Sequence, residues 1–336
     1  MKCDTYIVEE SLLVEELSSI PVPRPRVLLQ APDGLKKLYD CLGGLLRKVR
    51  DVEVYYSASP SFGACDIPLE EVALLRPDLV VHIGHAEYPL AEVEPPLRVV
   101  YVPVYYDVTP RAESLLEIEG SLSSRSWRRV AVVSPLTERL VAKRVADYLS
   151  SRGFDVREAE DRPILGCDYR SVISLAGSVD GFLLVSGGLF HALGAALYTD
   201  NLLAYDPYRE KVWDPSVEAR KLIRERIYTV VKLRNQALRR AVVVAGARPG
   251  QFRPSVLNMV AKLLEKIGVE YVVTTVSYLT LDRLLTIDET FRPDFIVVTS
   301  CPRLPLDDFH DFHKPVLTPG ELAMLVWGVE KYVFPW

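Results

Sequence analysis

Apolar positions along the chain recur in one order three times. Short β-branched runs open each pass, at Arg26 to Gln30 (RVLLQ), Arg129 to Ser134 (RVAVVS) and Arg240 to Ala245 (RAVVVA), and their near-continuous apolar character predicts strands buried on both faces. A loop with Pro or Gly follows each. Apolar residues at 3.6-residue spacing then predict helices over Leu35–Val49, Glu138–Ser150 and Pro254–Ile267. Second strands are predicted at VEVYYS from Val52, FDVREA from Phe154 and VEYVVTTV from Val269. Third strands are predicted at LVVHIGH from Leu79, GFLLVSGG from Gly181 and DFIVVTSCPR from Asp294. Fourth runs close the passes at RVVYVPV from Arg98, LLAYDP from Leu202 and KPVLTP from Lys314. Strands alternating with helices predict an α/β fold of three similar doubly wound domains, each with a small parallel four-stranded sheet. The opening strands start near 27, 129 and 241, so the period is about 102 and then about 112 residues. The domains are expected to span 1–106, 107–213 and 214–336.

Composition narrows the class. Hydrophobic residues are 49% of the 336, yet no uninterrupted apolar run reaches the roughly 18 to 20 residues of a membrane-spanning helix. The opening segment, MKCDTYIVEESLLVEEL, is acidic and lacks the apolar core of a secretory signal, which predicts a cytoplasmic protein. A net charge of −5 argues against a general nucleic-acid surface, although a local basic patch such as Arg220 to Arg226 is present. Only three Asn and three Gln occur, a bias of heat-adapted chains.

Five widely spaced cysteines do not suggest a disulfide framework in a reduced compartment. Cys65 and Cys167 are 102 residues apart, one repeat period, and sit in similar text after the second strand, GACDIPLEEV and GCDYRSVISL. Asp66 and Asp168 are placed to cap the helices that follow. Cys301, in TSCPRLPLDD, follows the third strand instead. All three lie at the carboxyl ends of strands, where ligands collect in open α/β sheets. If the three domains pack about a pseudo-threefold centre with those ends inward, the thiols converge, and three thiolates suit a 4Fe-4S cluster with one iron left open. Cys3 and Cys41 stand outside this pattern and are expected to be packing residues. The closely spaced C-x-x-C ligand pairs of zinc sites are absent.

The segments APDGL at Ala31, FGACD at Phe62, GHAEYP at Gly84, GGLFHALG at Gly187, YDPY at Tyr205, PGQFRP at Pro249, SCPRLPLDD at Ser300 and KPVLTPGEL at Lys314 together resemble the archaeal radical enzymes of diphthamide synthesis, over nearly the whole chain. The resemblance implies a homodimer with three similar domains per subunit and a 4Fe-4S cluster bound by Cys65, Cys167 and Cys301. It further implies transfer of the 3-amino-3-carboxypropyl group of S-adenosylmethionine to C2 of a histidine imidazole on elongation factor 2, with an electron donor as a further partner. The C-x-x-x-C-x-x-C loop of the commoner radical enzymes is absent.

Other polar residues are candidates for the surroundings of the cofactor. Gly187 and Gly188 leave bare backbone at a strand end, where a helix starting at Leu189 offers amides to a carboxylate, and His191 lies just beyond. Gly250 and Gln251 lie in the PGQFRP loop, with a plain turn as the competing reading. Arg303 and Asp307 are expected in a solvated loop. His82 is expected to face a core, and His85 to lie nearer the centre. Rival functions are a quinolinate synthase-like dehydratase on the same three-cysteine plan, a cluster protein that only carries electrons, and a metal-free binding module.

Overall fold

The computed structural model describes residues 1–87, 97–159 and 163–335, and the chain packs as two compact units, Met1–Ser216 and Val217–Trp336. The first unit opens with β1 (Lys2–Cys3), β2 (Tyr6–Val8) and α1 (Glu10–Ser18). There follow β3 (Arg26–Gln30), a 3-10 turn over Asp33–Leu38 that runs into α2 (Tyr39–Val49), β4 (Glu53–Tyr56), α3 (Leu69–Leu75), β5 (Leu79–Ile83) and β6 (Val99–Val102). These strands form a parallel sheet in the order β4-β3-β5-β6. The central β5 is buried at every position, whereas the edge strand β4 is not, as expected when helices cover both faces of the middle strands.

Two features of this region depart from the sequence reading. The run from Arg98 is not one strand: it breaks at Pro103, which has no N–H for a ladder, and resumes as β7 (Val104–Tyr106). β7 pairs antiparallel with β2, and β2 with β1, to give a separate three-stranded sheet. Strands of two and three residues are too short to show a period. Cys3 and Cys41 are not independent packing residues either: they form a disulfide that ties β1 to α2. Part of the GHAEYP segment falls outside the described residues.

The unit continues with α4 (Ala112–Ser124), β8 (Arg129–Val133), α5 (Arg139–Ser151), β9 (Asp155–Glu158), α6 (Arg170–Leu175), β10 (Gly181–Val185), α7 (Leu189–Ala196), β11 (Leu202–Asp206) and β12 (Lys211–Trp213). The sheet order is β12-β11-β10-β8-β9. It has five strands rather than the expected four, because the chain reverses after Asp206 and β12 adds an antiparallel edge to β11.

The second unit holds α8 (Ser216–Arg234), β13 (Arg240–Gly246), α9 (Pro254–Lys266), β14 (Glu270–Val276), α10 (Leu281–Phe291), β15 (Phe295–Val298), a single π-helical turn at Leu304–Asp308, β16 (Val316–Leu317) and α11 (Pro319–Trp327). Its sheet is parallel in the order β14-β13-β15-β16. Second, first, third, fourth is thus the parallel strand order in all three sheets. A buried ion pair of Arg226 with Glu321 joins α8 to α11, and Glu321 also completes a capping box with Thr318.

The repeat extends to a device invisible in hydrophobic periodicity. An aspartate just before each third strand accepts hydrogen bonds from backbone N–H groups at the start of the first strand. Asp78 serves Arg26, Asp180 serves Arg128 and Arg129, and Asp294 serves Arg239 and Arg240. Those amides hold the Asp180 carboxyl down at about 2. Twice the aspartate ends an Arg-Pro-Asp sequence whose arginine closes the preceding helix in the left-handed region, Arg76 at φ 47° and Arg292 at φ 47°.

Candidate metal centre

Cys65 and Cys167 prove equivalent in backbone geometry as well as in spacing. Each is the third residue of a four-residue turn closed by a backbone hydrogen bond, from Asp66 N to Gly63 O at 3.0 Å and from Asp168 N to Leu165 O at 3.1 Å. The second turn is doubled by a return bond from Leu165 N to Asp168 O. Both turns lie beyond the carboxyl end of an edge strand, β4 or β9. Both thiols are partly exposed and outside any disulfide.

The aspartates do not cap the following helices as expected. Those N-cap positions are Pro68 and Tyr169. Asp66, fully buried, instead accepts from Phe62 N within the Cys65 loop. Asp168 folds back on Arg170, accepting from its backbone N–H and its guanidinium.

Cys65 is flanked by a polar network. Tyr101 donates its hydroxyl to the carbonyl of Ala64 at 3.0 Å, and Gln30 Nε2 donates to the carbonyl of Asp66 at 2.6 Å. Gln30 Oε1 lies 2.9 Å from His82 Nδ1, and His82 Nε2 lies 2.8 Å from His85 Nδ1. The Tyr101 ring packs 5.0 Å from that of His82. Burial drives both imidazoles toward neutrality, His82 well below its usual value and His85 to about 4. Burial also raises the Tyr101 hydroxyl to about 12, helped by the nearby charges of Glu87 and Cys65, so it remains a donor. Gly84, at φ +86°, allows the chain to double back between the two histidines. A Cβ there would lie 2.2 Å from Leu35 Cδ1.

In the second unit Cys301 follows β15, and its carbonyl accepts from Leu304 N at 3.3 Å. Arg303 is not in a solvated loop. Only 2% exposed, it pairs with Asp307 through two hydrogen bonds, Nε to Oδ2 at 2.6 Å and Nη2 to Oδ1 at 2.9 Å, across the π-helical turn. Gln251 approaches the same loop. A Cβ on Gly246 would lie 2.7 Å from Ser300 Cβ and 2.8 Å from Gln251 Cβ, so Gly246 is where these two residues close in on β13. Gly250 lies in the turn between β13 and α9, in which Gln251 N donates to Arg248 O.

In the second repeat, Gly188 is the N-cap of α7, at φ 66°. Its N–H is not open to a ligand, because it donates to Asp206 Oδ2 at 3.0 Å. Gly187 makes room for the Tyr208 ring, 2.8 Å from where a Cβ would stand. Tyr208 in turn donates to Glu138 Oε1 at 2.7 Å, and burial raises that carboxyl to about 7. His191 Nδ1 lies 3.1 Å from Ser186 Oγ, and its ring meets Phe190 edge-on. Among the described residues, no three His, Cys, Asp or Glu side chains are grouped as ligands of one metal ion.

The family model described as "Putative diphthamide synthesis protein" matches residues 31–333. The chain belongs to the diphthamide synthesis family. It is 31% identical to the 2-(3-amino-3-carboxypropyl)histidine synthase of Pyrococcus horikoshii, over 97% of this chain and 92% of the relative. It is 27% identical to the enzyme of that name from Methanocaldococcus jannaschii, over 98% and 92%. The crystal structure of Dph2 from Pyrococcus horikoshii aligns with a TM-score of 0.79 at 29% identity, covering 98% of this chain and 94% of that one. A second structure of that family member, with a 4Fe-4S cluster, aligns at 0.78 with 29% identity, over 95% and 90%.

Proposed function

We propose that this member of the diphthamide synthesis family is a 2-(3-amino-3-carboxypropyl)histidine synthase whose 4Fe-4S cluster is held by Cys65, Cys167 and Cys301. The observation that carries the reading is the placement of these thiols. Each lies beyond the carboxyl end of a strand in a different one of three like-ordered sheets, and the other two cysteines are consumed by a disulfide. The donor set fits the group, since thiolates are the usual ligands of such clusters and three of them leave one iron for a further ligand. On this reading the three repeats act as three domains that turn their thiols toward a common, pseudo-threefold centre.

When bound, the cluster supplies the single electron that breaks the bond between the sulfonium and the methionine Cγ of S-adenosylmethionine. The aminocarboxypropyl group then joins C2 of a histidine imidazole on elongation factor 2. Methylthioadenosine leaves, one proton passes to solvent, and the electron released on restoring the imidazole would return to the oxidised cluster. Gly187, Gly188, His191, Gly250 and Gln251 are assigned to the surroundings of S-adenosylmethionine. The role of Gly188 is conformational, set by its φ of 66°, given that Asp206 occupies its N–H, and Gln251 is favoured by its approach to Ser300 beside Cys301. A homodimer in the cytoplasm, served by a separate electron donor, completes the proposal. No helix of the described residues is long and apolar enough to cross a membrane.

The deciding experiment incubates anaerobically reconstituted, dithionite-reduced protein with S-adenosylmethionine carrying a labelled aminocarboxypropyl group and the matching elongation factor 2. Label on the factor together with methylthioadenosine is the expected result. An intact reduced cluster that cleaves no S-adenosylmethionine would overturn the assignment.

A further inference from the structure

The network beside Cys65 has a direction that its distances alone fix. A backbone carbonyl can only accept, so the Gln30 atom facing Asp66 O must be the amide nitrogen, and Oε1 must face His82. Oε1 can only accept in its turn, so His82 Nδ1 carries the hydrogen. Held neutral by burial, His82 then has a bare Nε2. That nitrogen accepts from His85 Nδ1–H, which fixes the tautomer of His85 as well. The chain therefore runs from His85 through His82 and Gln30 to the carbonyl of Asp66, the residue after Cys65. Tyr101, whose ring rests against His82, holds the carbonyl before it.

Two peptide planes that bracket the thiol are thus anchored from a single imidazole. Gln30 and His82 are fully buried and face each other across the central strands β3 and β5. The turn they anchor stands at the edge of the sheet, where the Gly63–Asp66 backbone bond and the contact of Asp66 with Phe62 also hold it. No family landmark includes Gln30, His82 or Tyr101, and only His85 is expected near the centre from sequence.

We propose that His82 is the hub of a positioning network, with Gln30, Tyr101 and His85, that clamps the carbonyls of Ala64 and Asp66, the residues on either side of Cys65, and holds its thiol in the orientation a cluster iron requires. The inference rests on the assignment of Cys65 as a cluster ligand. Partners of this kind, one step removed from a metal ligand, typically alter metal affinity by about 10- to 100-fold.

The test uses the full chain, reconstituted with iron and sulfide without oxygen. The readouts are the rate at which a ferrous chelator strips the iron and the electron paramagnetic resonance spectrum of the reduced cluster. His82→Phe keeps a ring against Tyr101 and removes both hydrogen bonds. It should lose iron at least about tenfold faster than wild type and shift or broaden the spectrum. Gln30→Leu removes both the acceptor for His82 and the N–H given to Asp66 without adding a titrating group, and should do the same; it decides the matter should His82→Phe fail to fold. Either variant, folded by circular dichroism yet unchanged in both stripping rate and spectrum, would overturn the network. If wild-type protein takes up no iron and sulfide, the fault lies with the cluster assignment itself.

Discussion

The loops that carry Cys65 and Cys301 are built from opposite materials on nearly the same frame. Both belong to sheets of identical strand order, and in both an Arg-Pro-Asp sequence closes a helix in the left-handed region and fastens the opening strand. Past the strand ends the likeness stops. Neutral groups hold the Cys65 turn, two histidines, a glutamine and a tyrosine acting on backbone carbonyls. A charge pair of buried Arg303 with half-buried Asp307 stiffens the segment after Cys301 across a π-helical turn. The frame of a repeat is set by packing and strand-end hydrogen bonds, which tolerate few solutions, whereas a loop need only deliver one atom to one place and can do so by unrelated chemistry.

The comparison can be broken at several levels. The largest effect is expected at the thiols: Cys65→Ser and Cys301→Ser should each abolish most of the bound iron and sulfide, measured after anaerobic reconstitution. If only one of them matters, the two loops are not partners in a common task.

Next comes the charge pair. Asp307→Asn leaves Arg303 buried without its carboxylate and should cost about 3 kcal/mol in chemical denaturation. Arg303→Met removes the buried charge altogether and should cost less. Equal costs would mean that packing, not charge, secures this loop.

The neutral network answers to pH instead. An imidazole whose folded value is about 4 binds fewer protons than in the unfolded chain, where it titrates near 6.5. Stability from His85 is therefore complete above about pH 6.5 and is lost as pH falls toward 4, by about 2 kcal/mol at pH 5. Glu138, raised to about 7, acts in the opposite sense across much of this window, so the variant must be compared with wild type. His85→Asn can donate the same bond without titrating, and urea midpoints between pH 4 and 7 should fall less steeply for it.

The smallest effect tests the shared frame. Arg76→Gly and Arg292→Gly relieve a left-handed conformation that glycine adopts freely, and each should change stability by no more than about 1 kcal/mol, by similar amounts in the two sheets. Markedly different values would show that the two frames only look alike.

Periodicity made the frame legible. β3 spans Arg26–Gln30 as expected, and α9 and β13 differ from expectation by a single residue at one end. The spacing of Cys65 and Cys167 also announced an equivalence that the two turns bear out. What escaped depends on contacts distant in sequence. Gln30 and Asp66 are 36 residues apart, and Asp78 meets Arg26 across 52. Arg303 sits in a run so rich in Pro, Leu and Asp that a solvated loop is the natural reading, and its burial is offset by the ion pair with Asp307, a contact that composition does not announce. One signal was available and underused: His82 and His85 flank Gly84, the residue able to fold one ring back onto the other.

The bond between Cys3 and Cys41 also gives the protein an internal standard for its sulfur chemistry. Stripped of iron and sulfide and unfolded without reductant, the chain should bind three equivalents of a thiol reagent, at Cys65, Cys167 and Cys301, and five once a thiol reductant is added. A preparation that starts below three has already oxidised residues needed for cluster assembly, so this stoichiometry can grade each batch before any iron is supplied.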